Sequence, residues 1–139
     1  MKTIIAGSRW VTDVLPVHSA IELSGFNITE VVSGCARGVD TIGEMWAAYW
    51  GVPVKPFPAA WRDKDGATDM QAGRKRNSAM ARYADALIAV WDGRSHGTKH
   101  MIDQANYYGL KHIYVYSVRP AAINKPKVYK TLPGFVKHE

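Results

Sequence analysis

Five short, largely apolar runs constrain this chain more than any other feature; they fall at residues 3–6, 30–33, 52–57, 86–91 and 112–117. Most are continuous rather than alternating, the pattern of strands covered on both faces. Between them lie stretches long enough for helices and spaced like helices. Strands alternating with helices predict an α/β domain of three layers, Rossmann-like, with a five-stranded and mainly parallel sheet. A first helix is expected from the capping residue Asp13 to just before Gly25, with Val14, Val17 and Ile21 as its apolar stripe. A second should span 39–50, with Thr41 and Glu44 in capping-box spacing, Gly51 as its stop, and Ile42, Trp46 and Tyr49 along one face. The third is expected over 71–84, and the fourth over 99–108 with Thr98 as N-cap and Gly109 as its end. Trp46, Trp50 and Trp91 read as core. The polar loop 58–69, which contains Trp61, breaks the alternation and reads as a lid or a dimer contact.

A length of 139 residues fits one domain. The single cysteine, Cys35, leaves no disulfide framework and suits a reducing, cytoplasmic setting. No run is long enough for a signal peptide or a membrane span, so no membrane partner is expected. The net charge of +6 is unevenly placed. Residues 118–139 carry Arg119, Lys125, Lys127, Lys130 and Lys137 against Glu139 alone. The division is therefore a nearly balanced domain, 1–117, followed by a basic, proline-containing tail, 118–139. Such a tail either binds nucleic acid or keeps the chain soluble.

Ligands of open parallel sheets bind outside the carboxyl ends of the strands. Three of the expected strands end there in glycine-rich loops. The first loop is Gly7-Ser8-Arg9 and the second is Ser33-Gly34-Cys35-Ala36-Arg37-Gly38. The third is Asp92-Gly93-Arg94-Ser95-His96-Gly97-Thr98. Each combines glycine, a hydroxyl and an arginine. Glycine lets the backbone approach an anion, helix-start N–H groups point at it, and arginine supplies a charged fork. The three together predict a site for a nucleotide-type phosphate. Neither the dinucleotide fingerprint nor a Walker A motif is present, which argues against an ordinary NAD dehydrogenase or a P-loop ATPase.

On the third helix Ala72, Ala79, Met80 and Tyr83 form an apolar stripe, and Arg76 falls on it. An arginine there either pairs with a buried carboxylate or reaches the ligand cleft. Asn77 beside it adds a neutral donor and acceptor.

Taken in order, Ile5-Ala6-Gly7-Ser8-Arg9, Ser33-Gly34-Cys35-Ala36-Arg37-Gly38-Val39-Asp40, Arg76-Asn77-Ser78-Ala79-Met80, Trp91-Asp92-Gly93 and Gly97-Thr98 resemble the SLOG superfamily. That superfamily groups the DNA-processing protein A and Lonely Guy folds. The resemblance is to its YspA-type, YpsA-related branch of small bacterial and phage proteins, and it covers about residues 1–117. It implies a bound nucleotide or nucleotide-derived ligand resembling NAD, ADP-ribose or a cyclic nucleotide. The role implied is a sensor or sponge in conflict between phage and host. No further cofactor and no metal are implied, and relatives often pair as dimers. The ligand set so implied is Gly7, Ser8 and Arg9; 33–38 and Asp40; Arg76 and Asn77; and Asp92, Gly93, Ser95, Gly97 and Thr98. Lonely Guy enzymes cleave the N-glycosidic bond of nucleoside monophosphates with an arginine on this helix and a glutamate three residues after Gly-Thr. Arg76 matches the arginine, but Met101 stands where the glutamate would be. Whether the chain is an enzyme is left open, with Arg76 and Asp92 as catalytic candidates and Asp40 or Glu44 as other substitutes for the carboxylate. A third possibility is a single-stranded DNA module, from the resemblance to DNA-processing protein A, the basic tail and Trp61.

Several residues carry two readings. Cys35 is either a thiol activated at a helix start or a small residue in a tight loop. His96 and His100 have the spacing of metal ligands but lack a third partner. Asp92 either accepts from a ribose hydroxyl or caps the next turn. Met101 falls on a stripe with Ala105 and Tyr108 and reads as core.

Overall fold

The computed structural model describes residues 1–62 and 64–119; the extension expected beyond Arg119 lies outside the described residues. Among the described residues nine elements follow one another: β1 (Lys2–Gly7), α1 (Val14–Ser24), β2 (Glu30–Ser33), α2 (Val39–Trp50), β3 (Val54–Pro56), α3 (Ala72–Tyr83), β4 (Ala86–Trp91), α4 (His96–Tyr107) and β5 (His112–Ser117). The sheet order is β3-β2-β1-β4-β5 and every pairing is parallel. This is the three-layer α/β fold that the alternating runs predict.

Alternate side chains of the central strands feed two separate cores. Ile5, Val31, Ile88 and Val90 pack with α1 and α2, while Ile4, Ala6, Val32, Leu87 and Ala89 pack with α3 and α4. Burial on both faces explains why the strands read as continuous apolar runs. Val118 joins the first core and donates its N–H to Trp91 O at 2.9 Å, so packing continues one residue past β5. Among the described residues no helix is long and apolar enough to cross a membrane.

The helix ends follow local chemistry. Asp13 accepts from Leu15 N–H at 3.0 Å, and Gly25 closes α1 in the left-handed region. The buried stripe of α1 is Pro16, Val17, Ala20 and Ile21; Val14, expected on it, is exposed. On α2, Ile42 is buried and Trp46 half-buried against the first core, but Tyr49 and Trp50 are exposed. Gly43 lets the helix approach β1 closely, since a Cβ there would lie 2.9 Å from Ile5 Cγ2. The expected capping box is also absent. Gly38, at φ +76 and three residues before Thr41, turns the chain into the helix, and Thr41 instead donates to Ala36 O. Helix α4 starts at His96 rather than Lys99, because Asp92 closes a turn that brings Ser95 to the N-cap. Thr98 is thereby buried in the first turn, its Oγ1 3.2 Å from Ser95 Oγ.

Candidate functional site

From β1 the chain goes to β2 on one side, and from β4 it goes to β5 on the other. The carboxyl ends of these two neighbours therefore diverge, and the crevice between them is the place where open α/β sheets take ligands. A cavity of about 550 Å³ fills it. That volume suits a small organic ligand.

The cavity is built on an apolar floor. Ala6, Met80 and Met101 lie there, and each is almost fully buried. Around it stand the loops that the sequence singles out. Gly7, Ser8 and Arg9 line it from β1, Ala36 and Asp40 from the start of α2, and Arg76 and Asn77 from α3. Asp92, Ser95, Gly97 and Thr98 line it from the β4–α4 connection.

The other expected residues hold the walls from behind. Ser33 is buried; its hydroxyl donates to the Glu44 carboxylate and accepts from Cys35 N–H at 3.1 Å. Gly34 passes so close to Arg76 and Asp40 that a Cβ would lie 2.7 Å from Arg76 Nη1 and 2.9 Å from Asp40 Oδ2. Gly38 presses on the β1 loop, where a Cβ would lie 2.5 Å from Ser8 O. Arg37 and Gly93 are exposed and do not line the cavity. Cys35 is exposed at φ 63, and burial of its thiol together with the Glu44 charge raises its pKa. The positive φ and the raised thiol pKa fit the tight-loop reading.

Arg76 is fixed at both ends of its head group. One nitrogen, Nη1, donates to Gly34 O, and Nε donates to Asn77 Oδ1 at 3.0 Å. Burial pushes its pKa down, partly offset by Asp40, and an arginine keeps its charge at neutral pH regardless. Arg76 lines the cleft, and the charge of the buried Asp40 carboxylate acts on it there. Asp40 is 6% exposed and accepts from Ala36 N–H at 3.1 Å. Burial raises its pKa from the usual 3.8 to about 6, against the pull of that N–H and of Arg76 and Arg9.

Asn77 and Asp92 are committed within the protein. The Asn77 amide donates to Gly97 O at 3.2 Å and meets His100 Nδ1 at 3.1 Å, which ties α3 to α4. Asp92 Oδ1 accepts from Arg94 and Ser95 N–H, both at 2.8 Å, and Oδ2 accepts from Trp10 Nε1 at 2.8 Å. Burial would raise the Asp92 pKa, but these donors outweigh it and hold it low. Asp92 is a capping residue for the turn that starts α4.

Two features of the cleft remain open. The Ser95 side chain makes no capping bond to α4, and the first backbone N–H met from within is that of Lys99, which bonds Ser95 O at 3.1 Å. The N–H groups of residues 96–98 are the helix's free donors. Ser8, on the same cavity wall, is fully buried; its Oγ meets no hydrogen-bond geometry, yet the hydroxyl interacts with the Asp92 carboxylate and helps to hold its pKa low. Arg9 and Arg94 add positive charge at the rim.

Five lining residues lie outside the expected ligand set: Ala6, Trp10, Met80, Arg94 and Met101. Arg94 lies within a loop otherwise singled out, and Met80 is one helical turn after Arg76. Trp10 directly follows Gly7-Ser8-Arg9, and its neighbourhood was the available signal. Trp61, by contrast, is exposed and does not line the cavity. Among the described residues no group of three or more His, Cys, Asp or Glu side chains could hold a metal ion.

No protein-family model matches the chain. The Gene 61 protein of Mycobacterium phage D29 is 36% identical over 117 residues, covering 78% of this chain and 91% of that protein. Among solved structures, DNA processing protein A (DprA) from Streptococcus pneumoniae superposes with a TM-score of 0.65 over 88% of this chain, at 19% identity. That likeness shows a common fold, and this chain spans about half (51%) of the length of the DprA chain.

Proposed function

The chain belongs to the family of the Gene 61 protein of Mycobacterium phage D29, and we propose that it binds a nucleotide or nucleotide-derived ligand in the β1/β4 crevice. The observation that carries this reading is the open first turn of α4 facing the same cavity as the buried Ser8 hydroxyl, which meets no hydrogen-bond geometry. A phosphate there accepts from the helix N–H groups and from Ser8, with Arg9, Arg94 and Arg76 supplying charge. The sugar then lies toward Asp40. The motif order and the DprA-like fold support placing the chain in the SLOG superfamily, in its YspA-type branch. A cytoplasmic sensor or sponge for NAD-, ADP-ribose- or cyclic-nucleotide-like molecules, acting as a homodimer, is the role that placement suggests. No cofactor beyond the bound ligand is invoked.

Thermal-shift and calorimetric titration with NAD, ADP-ribose, cyclic nucleotides and nucleoside monophosphates test this reading. A saturable nucleotide signal is expected, and Arg76→Ala should weaken it by roughly ten- to 100-fold, the worth of a hydrogen bond to a charged group. A panel with no binder, or an Arg76→Ala change confined to folding, ends it.

A hydrolytic reading has one observation in its favour. Met101 leaves the floor apolar and the Asp92 oxygens are bonded, so Asp40, with a pKa of about 6, is the cleft carboxylate suited to exchange a proton. Release of free base from a nucleoside monophosphate, lost in Asp40→Asn, would establish it. A DNA partner, suggested by the neighbour's name and single-stranded on the superfamily resemblance, predicts salt-sensitive oligonucleotide binding that weakens when residues 118–139 are removed.

A further inference from the structure

Trp10 is a large aromatic side chain on the rim of the crevice, 42% exposed. Its surroundings hold it still. Val11 N–H bonds Ser8 O at 3.4 Å, closing a tight turn with Trp10 at its third position. Both ends of that turn are buried, Ser8 fully and Val11 to 2% exposure. The same Ser8 O accepts from Val39 N–H at 3.4 Å, and Gly38 packs against the carbonyls of Ser8 and Arg9. The turn therefore has little freedom to lose when a ligand arrives.

The ring is held as well. Its one polar edge, Nε1–H, is bonded to Asp92 Oδ2, and Asp92 Oδ1 holds the N–H groups of Arg94 and Ser95. One carboxylate thus links the indole to the mouth of α4. With its donor used, what Trp10 offers a ligand is its π-face. Such a surface recognises flat aromatic rings rather than sugars or phosphates. The other strongly exposed aromatics, Tyr49, Trp50, Trp61 and Tyr107, do not line the cavity.

We infer that Trp10 is the base-recognition surface of the crevice, stacking on the aromatic ring of a ligand whose phosphate lies at the start of α4. The inference rests on the phosphate reading above and sharpens it: the ligand carries a nucleobase, and sugar phosphates are poor ligands. Asp92 acts here as a positioning residue for both the ring and the helix turn.

Calorimetry on the full chain tests this with AMP, ADP-ribose and NAD set against ribose 5-phosphate, and with an adenine oligonucleotide as a separate arm. Trp10→Ala should weaken the base-containing ligands roughly tenfold or more while moving ribose 5-phosphate by less than about twofold. Trp10→Phe should recover most of the loss, which a purely structural role for the indole N–H would not allow. Loss confined to the oligonucleotide arm would keep the stacking surface and assign the base to a strand. If wild type binds ribose 5-phosphate as well as the nucleotides, or Trp10→Ala weakens all ligands alike, the stacking inference is overturned and the phosphate site stands. If wild type binds no ligand in any arm, both fall. Melting curves of the variants guard against a folding artefact.

Discussion

The two edges of the sheet are made from the same five strands and treat their polar groups in opposite ways. At the amino edge the groups close on one another. Lys2 N–H bonds Asp85 Oδ2, and Asp85 N–H returns to Lys2 O, both at 2.8 Å. Thr29 N–H bonds Met1 O at 3.1 Å, the Tyr83 hydroxyl donates to Glu30, and the Lys2 ammonium sits 4.2 Å from the Tyr83 ring centre. At the carboxyl edge a hydroxyl is buried without a hydrogen bond, a helix start is uncapped, and a carboxyl is buried with a raised pKa. Buried polar groups that find no partner cost free energy, so the carboxyl edge carries a cost that the amino edge does not.

The contrast is broken most easily at Asp40. Its folded pKa is about 6 against the usual 3.8, so the folded state holds the proton more tightly than the unfolded chain. Below about pH 4 both states are protonated and the group costs nothing. Between about pH 4 and 6 the unfolded chain has released the proton and the folded chain has not, so stability falls as pH rises. Above the folded pKa the full penalty, roughly 3 kcal/mol, is in force. Asp40→Asn removes the ionisation. Urea unfolding should find the variant and wild type alike near pH 4, relative to a growing advantage for the variant toward pH 8. A difference that does not change with pH would mean that this carboxyl is as comfortable as those of the amino edge.

Asp85→Ala tests the other side. It frees Lys2 N–H at an exposed position, so a loss of about 1 kcal/mol is expected, the ordinary worth of one hydrogen bond. Nucleotide affinity should not move, because Asp85 lies at the far ends of β1 and β4 from the crevice. A change in affinity after correction for stability would show that the two edges are coupled through the strands.

The two edges were also unequally visible in the sequence. The apolar runs announced the strands and their double-sided burial, and the glycine loops pointed to the carboxyl edge, where several of their residues line the crevice, because glycine, hydroxyl and arginine carry local chemistry. Arg76 stood out as a charge on an apolar stripe. The amino edge left no such mark: the Lys2–Asp85 pair joins residues 83 positions apart. Long-range commitments also reassigned several residues near the site. Glu44 is claimed by Ser33 rather than by a capping box with Thr41, and Asp92 by Trp10 as well as by its own turn. Trp10 itself gave no periodic signal, since a single residue in a tight turn has none.

The smallest expected change in stability is also the sharpest test, because its sign differs from that of Asp85→Ala. Ser8 is packed without exposure and its Oγ meets no hydrogen-bond geometry, so the weak pull it exerts on the Asp92 carboxylate is set against the desolvation cost of the hydroxyl. Ser8→Ala removes that atom and leaves a space smaller than a methyl group. The free protein should keep its stability or gain up to about 1 kcal/mol. Phosphate-bearing ligands should bind about fivefold more weakly, since one donor to the anion is lost. Unfolding and titration on the same variant read both quantities. If Ser8→Ala destabilises the free protein and spares the ligand, the hydroxyl is structural. The carboxyl edge would then have to be described in the terms that fit the amino edge.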